Sequence, residues 1–283
     1  MKIIECPRDA MQGLTQFIPT EKKIAYINQL LKIGFDTIDF GSFVSPKAIP
    51  QLRDTKDVLA KLDWQVSSSK LLAIVANVRG AEEASEFAAV KFVGFPLSIS
   101  ETFQKRNTNS TILEALEAVE TILSICRGSH QQLVIYISMG FGNPYSDPYS
   151  LTVVKEFVER LAIMGVTIIS LADTIGVSTP HQISYLFPKL AQEFPAIEFG
   201  AHLHSSPSTL VEKLEAAFEA GCHRFDGALK GWGGCPMAND ELIGNLATEK
   251  IIDFLKSKNI ELNLRQDELL KAMLLADEIF PTD

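Results

Sequence analysis

The chain is short of several things, and each shortage removes a class of protein. None of its four cysteines, Cys6, Cys126, Cys222 and Cys235, forms a CxxC pair, so neither a thiolate zinc knuckle nor a dithiol redox motif is on offer. No apolar stretch reaches the roughly 18 residues that a membrane helix needs, because Lys, Asp or Glu interrupts each candidate. No run of Lys and Arg occurs and the formal net charge is −9; nucleic acid and membrane surfaces are polyanions that need a basic patch, so neither is an expected partner. The N-terminus, MKIIECPRD, opens on a strand-like run in place of a targeting segment. With free thiols expected, the expectation is a cytoplasmic protein without a membrane span. No linker or composition shift divides the 283 residues, and a single domain over 1–283 is expected.

What is present is a core and a rhythm. The chain is 46% hydrophobic and 22% charged, the balance of a folded globular protein. Eight short β-branched runs begin near Lys2–Glu5, Asp36–Phe40, Leu71–Ala76, Val90–Phe95, Leu133–Ser138, Thr167–Ala172, Ile197–Leu203 and Arg224–Ala228. Most are almost continuously apolar, as parallel strands covered on both faces should be. Between them lie amphipathic segments that read as helices: Glu21–Ile33 after Thr20 as N-cap, then Asn109–Cys126, Tyr149–Met164, Pro180–Phe194, Ser208–Ala220 and Glu241–Phe254. Gly34, Gly165 and Gly221 stand where helices should stop. The spacing, about 35 residues per unit, predicts an α/β fold, a (β/α)8 TIM barrel. The helical pattern Gln266–Ile279 within 258–283 predicts a C-terminal extension packed on the barrel, or a lid. A doubly wound open sheet is the alternative, but ECPRDAMQG replaces the glycine-rich phosphate turn that such a sheet carries after its first strand.

In such a barrel the active site is built from the C-terminal ends of the strands, and the chemistry-bearing residues cluster there. Arg8 and Asp9 follow the first run, Asp39 and Ser42 close the second, Asp173 and Thr174 follow the sixth, His202 and His204 end the seventh, and Cys235 and Asn245 lie beyond the eighth. His130 and His223 precede their runs, on the opposite face. Alternation along a strand puts His202 and His204 on one side, a good pair of metal ligands, although an isolated HxH could equally pack in the barrel and cap a loop. With Asp9 converging from the first strand, an Asp, two His and an amide or waters make a mixed O/N set suited to a divalent metal cation such as Mg2+ or Mn2+. Arg8 is either a rim salt bridge or a fixed positive fork for an oxyanion. Asp39 is either a general base or a member of an ion-pair network. Cys235, within GWGGCPMA, is poorly explained by core packing and is a candidate acid/base or nucleophile; ordinary burial accounts for the other three cysteines.

The segments PRDAMQ, GSFVSPKAIPQL, SETFQKRNTNST, LADTIGVSTP, HLH, GGCPMA and GNLATE, in this order and spacing, resemble the 3-hydroxy-3-methylglutaryl-CoA lyases, members of the metallolyase barrels. The cysteine of the GGCP loop is similar to the lyase branch of those barrels and unlike the synthase branch. The resemblance implies that Asp9, His202, His204 and Asn245 bind the divalent cation, that Arg8 steadies an enolate, and that Cys235 acts as an acid, with His202 also in the proton relay and Asp39 as an active-site carboxylate. It also implies an acyl-CoA substrate, a homodimer, and retro-Claisen cleavage. A base takes the tertiary hydroxyl proton, and the carbon–carbon bond breaks to give acetoacetate and the acetyl-CoA enolate. A metal-dependent Claisen synthase or aldolase of related design is the alternative. The sequence departs from the family at Asp39, where Glu is usual, and at HLHSSPST, where HCHDTYGQ is familiar. ECPRD is one residue shorter than usual, and MQGLTQ lacks the common QNE. The stretch from Cys235 to Asn245 is one residue longer, which leaves Asn239 as a weaker competitor to Asn245.

Overall fold

The computed structural model describes residues 1–234 and 243–280. Its eight strands close into a parallel barrel in chain order: β1 (Lys2–Glu5), β2 (Thr37–Ser42), β3 (Lys70–Ile74), β4 (Val90–Ser98), β5 (Gln132–Ser138), β6 (Ile168–Asp173), β7 (Glu198–Leu203) and β8 (Arg224–Gly227). The seam is closed by β1 against β8, in the register Lys2↔Arg224 to Glu5↔Gly227. The near-continuous apolar runs have the expected outcome: β2, β6 and β8 are buried at every position, because helices cover the outside while layered side chains fill the inside.

The helices are α1 (Pro7–Gln12), α2 (Thr20–Leu31), α3 (Thr55–Leu59), α4 (Val78–Ser85), α5 (Glu101–Thr108), α6 (Ile112–Gly128), α7 (Leu151–Met164), α8 (Pro180–Glu193), α9 (Leu210–Glu219), α10 (Thr248–Ser257) and α11 (Gln266–Ile279). Their ends follow side-chain chemistry. Thr111 and Glu114 form a reciprocal capping box, so α6 starts at Ile112, three residues after the expected Asn109. Asn109 instead ends α5 with a left-handed φ of 55°. Thr179 and Gln182 cap α8 in the same way, and Gly165 ends α7 at φ 90°. Thr20 does not cap α2: it is the first helical residue, and its hydroxyl donates to Asp54 Oδ2 at 2.8 Å.

Two corrections bear on the site. The short helix α1 is absent from the sequence reading, and it carries Arg8 and Asp9, which therefore do not alternate across a strand. Of the expected helix Glu241–Phe254, residues 241 and 242 lie outside the described residues, and among the rest the helix starts at Thr248. From 243 to 247 the chain is extended, with Asn245 bridged to His204 and Ala247 to Ala228, because the backbone there finds strand partners at the barrel mouth before it finds helical ones. The C-terminal extension packs against the barrel's outer layer and is no lid over the mouth: Gln29 of α2 donates to the Glu268 carbonyl at 2.9 Å, and Phe280 meets Tyr26 edge-on.

Candidate active site

At the C-terminal mouth of the barrel the polar residues converge from opposite ends of the chain. Pro7 opens α1 directly after β1, and the single turn that follows points Arg8 and Asp9 inward, buried at 7% and 5% exposure. Ligand atoms of Asp9, His202 and His204 all lie within 4.8 Å of one another. Asn245 joins them through its amide nitrogen, 2.6 Å from Asp9 Oδ2. His130 and His223 are exposed and precede β5 and β8, away from this mouth.

The second partners of these side chains orient them. His204 Nδ1 pairs with the Thr174 carbonyl at 3.1 Å and so carries the proton, leaving Nε2 buried with no hydrogen-bond partner among the described residues. His202 Nδ1 pairs with Asp226 Oδ2 at 3.2 Å, which leaves Nε2 for the cluster. Asn245 Nδ2 donates to both Asp9 Oδ2 and the Trp232 carbonyl, and its Oδ1 is likewise buried and unpartnered. A lone-pair nitrogen and an amide oxygen, both taken out of water and unsatisfied, beside a carboxylate and a second imidazole, form a donor set that a hard divalent cation fits. Cys6, His202 and Asp226 form a second grouping. Burial pushes the Cys6 thiol well above its usual range, aided by the charges of Asp226 and Asp39, and its Sγ donates to the Ile4 carbonyl at 3.7 Å.

Arg8 is held almost completely. Nε and Nη2 donate to Asp39 Oδ2 at 2.9 and 2.5 Å, and Nη1 donates to Asp9 Oδ1 at 2.9 Å and to Gln12 Oε1 at 2.8 Å. One of its five N–H groups, on Nη2, remains. Burial would raise the Asp9 pKa, but the charges of Arg8, His202 and His204 and the Asn245 bond outweigh it and hold the carboxyl at about 2. For Asp39 burial wins over Arg8 and lifts the carboxyl to about 6. Burial also lowers the His204 pKa, with the neighbouring His202 acting in the same direction. For His202 burial is opposed and overcome by the bond to Asp226 and its charge, so its pKa rises.

A cleft rises above this floor. Ile49, Ile74, Pro96 and Phe103 give it apolar walls, and Asn107 and Ser138 add polar points. Asp39 lies behind Arg8 as its anchor. Asp173 faces away from the cleft chemistry: it accepts from Ser178 and from the buried Lys213, whose ammonium also donates to the His204 carbonyl at 2.9 Å. Ser42 accepts from the Val44 N–H in a local turn. Cys235 and Asn239 lie outside the described residues. Sequence reasoning missed Gln12, Asp226 and Lys213. The inward register of Asp226 on β8 was a usable signal for it; nothing comparable marks the other two.

Comparison with known proteins supplies the family. The HMGL-like family model matches residues 2–275. The chain is 35% identical to the hydroxymethylglutaryl-CoA lyase YngG of Bacillus subtilis over 96% of this chain and 90% of that protein. It is 31% identical to the cytoplasmic 3-hydroxy-3-methylglutaryl-CoA lyase of Rattus norvegicus, over 96% and 79%. Among solved structures, the Bacillus subtilis HMG-CoA lyase superposes with a TM-score of 0.91 at 34% identity, covering 98% of this chain and 92% of that one. An HMG-CoA lyase from Acinetobacter baumannii in complex with coenzyme A and 3-methylmalate gives 0.91 at 31% identity, covering 99% and 90%. The carboxyl transferase domain of Rhizobium etli pyruvate carboxylase, at 14% identity and a TM-score of 0.71, shares the fold. With a family model spanning nearly its full length and relatives above 30% identity along it, the chain belongs to the HMGL-like family.

Proposed function

We propose that the protein is a hydroxymethylglutaryl-CoA lyase, cleaving (S)-3-hydroxy-3-methylglutaryl-CoA to acetoacetate and acetyl-CoA with the help of Mg2+ or Mn2+. The observation that carries this reading is the convergence of Asp9, His202, His204 and Asn245 beside Arg8, in a chain whose relatives are lyases of this name. A divalent cation bound there supplies Lewis-acid polarisation of substrate oxygens.

The chain's own groups account for the rest. Asp39 and Asp9 fix the Arg8 guanidinium so that its free Nη2 N–H meets negative charge developing on the thioester oxygen as the carbon–carbon bond breaks. With His202 Nε2 given to the cation, the tertiary hydroxyl proton leaves toward the His202–Asp226 pair, where Asp226 Oδ1 is the acceptor without a partner among the described residues. Asp39, lifted to about 6 and with Oδ1 unpartnered, can exchange a proton near neutrality. Cys235 gives its proton to the methylene carbon of the departing enolate, which completes acetyl-CoA. The apolar walls around Ile74 and Pro96 exclude water from that carbon. The three described cysteines are buried and unpaired, consistent with a reducing cytoplasm. Among the described residues no helix is long and apolar enough to cross a membrane. Family membership supports a homodimer, which sedimentation would test, a monomer at assay concentration counting against it.

The deciding experiment measures acetyl-CoA release from 3-hydroxy-3-methylglutaryl-CoA, with and without Mg2+ or Mn2+, beside His204→Ala. Cation-dependent cleavage that the variant lacks is expected. A folded, cation-binding protein that leaves this thioester intact would overturn the reading and direct the search to carbon–carbon bond formation from other acyl-CoA or 2-oxo acid substrates.

A further inference from the structure

The C-terminal extension reaches the active site through a stacked aromatic pair. Phe280, 2% exposed, lies nearly parallel to Trp232, with ring centroids 5.6 Å apart and planes 19° apart. Its other flank meets Tyr26 edge-on at 5.8 Å. One turn earlier Asp277 pairs with Lys230. Two contacts from the C-terminal extension, Asp277 on α11 and Phe280 just beyond its end, therefore hold the segment 230–234, which follows β8. The family match ends at residue 275, so both Asp277 and Phe280 belong to the part of this chain beyond it.

The segment they hold touches the cation cluster. The Trp232 carbonyl accepts one of the two Asn245 Nδ2 bonds at 2.9 Å, and Asp9 Oδ2 accepts the other at 2.6 Å. Next to it Gly233, at φ 109°, passes so near that a Cβ would stand 2.5 Å from Asn245 Nδ2 and 3.0 Å from the Asp9 carbonyl, an approach open to glycine alone. With both Nδ2 hydrogens committed, the amide cannot turn over, and Oδ1 is the atom left buried and without a partner among the described residues. Without the Trp232 carbonyl, only the Asp9 bond would choose between an amide oxygen and an amide N–H facing a cation, and the N–H is repelled.

We infer that Trp232 and Phe280 are positioning residues for the cation site: by stacking Phe280 on Trp232, the C-terminal extension sets the backbone that turns Asn245 Oδ1 toward the metal. This rests on the reading of Asn245 as a ligand. Offset aromatic pairs contribute enough to shift a binding constant about threefold to tenfold when their loss is fully transmitted.

The test is the Mn2+ dissociation constant of the full-length protein, read from the electron paramagnetic resonance of free Mn2+, with melting temperatures alongside. Phe280→Ala and Trp232→Ala should each raise the constant roughly threefold to tenfold. Phe280→Tyr, which keeps the ring, should restore it, and saturating Mn2+ should return kcat of the alanine variants close to wild type. Leu269→Ala, a buried lesion on the same helix away from the stack, should lower the melting temperature without moving the constant. If wild type binds Mn2+, His204→Ala does not, and the stack variants bind as wild type or only as weakly as Leu269→Ala does, this inference is wrong while the cation reading stands. Absence of His204-dependent Mn2+ binding in wild type would overturn both.

Discussion

Glu5 should make the folded protein less stable as pH rises through neutrality, and Glu5→Gln should remove that cost. Its side chain is fully buried at the end of β1, with Oε1 accepting from the Leu229 N–H at 2.9 Å and Oε2 2.5 Å from Thr248 Oγ1. Burial, only partly offset by those two bonds, raises its pKa from 4.5 to about 8. Between these values the folded state binds more protons than the unfolded chain, so stability falls with increasing pH across that window and is insensitive to this group below 4.5 and above 8. The gap of 8 − 4.5 = 3.5 units corresponds to a ceiling of about 5 kcal/mol at pH 8 and above, at 1.36 kcal/mol per unit. A glutamine keeps both bonds, accepting from Leu229 and donating to Thr248, without a charge to desolvate. Urea melts of wild type and Glu5→Gln from pH 5 to 9 should nearly coincide at the acid end and separate by several kcal/mol at the alkaline end, the variant being more stable. Parallel curves, or a variant less stable at pH 8, would refute the assignment of Glu5 as a carboxyl that folds most readily in its protonated form.

Three further outcomes follow from the site. Asp226→Asn, which keeps the shape but weakens the hold on His202 Nδ1, should weaken cation affinity or turnover about tenfold to a hundredfold; wild-type metal titration and kinetics would rule the role out. Lys213→Met leaves the Asp173 carboxylate buried without its ammonium at 2.7 Å and should cost about 3–5 kcal/mol. Adding Asp173→Asn should recover much of that loss in thermal melts, and two independent, additive losses would contradict the pairing. Cys235→Ser should reduce acetyl-CoA formation roughly 10²- to 10⁴-fold while leaving cation binding intact, so a variant at full speed would remove the thiol from the proton path.

The barrel was legible in the sequence because most strands are near-continuous apolar runs, five of them (β1, β2, β4, β5 and β6) closed by a polar residue, and that pattern survives local ambiguity at the ends. His202 and His204 were legible for the same reason, since period-two alternation is a local property. Arg8 and Asp9 were placed at the right end of the right strand for an incorrect local reason. A Pro-initiated single turn, too short to show any periodicity, carries them, and adjacency on a helix lets Arg8 clamp both Asp9 and Asp39. Asn245 shows the limit most clearly. Its segment has helical composition, and bridges to His204, 41 positions earlier in the chain, and from Ala247 to Ala228 pull it into extended form. Asp226 and Lys213 act through His202 and Asp173 on other elements, whereas Gln12 reaches Arg8 and Asp9 within its own turn and was missed together with the single-turn helix that carries it.

The four donors proposed for the cation are also distributed with respect to assembly of the chain. Asp9 follows the first strand, the two histidines stand at the end of the seventh, and Asn245 lies beyond the eighth, which pairs with the first. A chain still emerging from the ribosome, or an intermediate open at the β1–β8 seam, therefore has no complete site. Cation bound at a hundred times its dissociation constant adds about 2.7 kcal/mol to the closed form alone. The metal would thus act as a clasp on the ring, and its affinity would report whether the two ends of the chain have met.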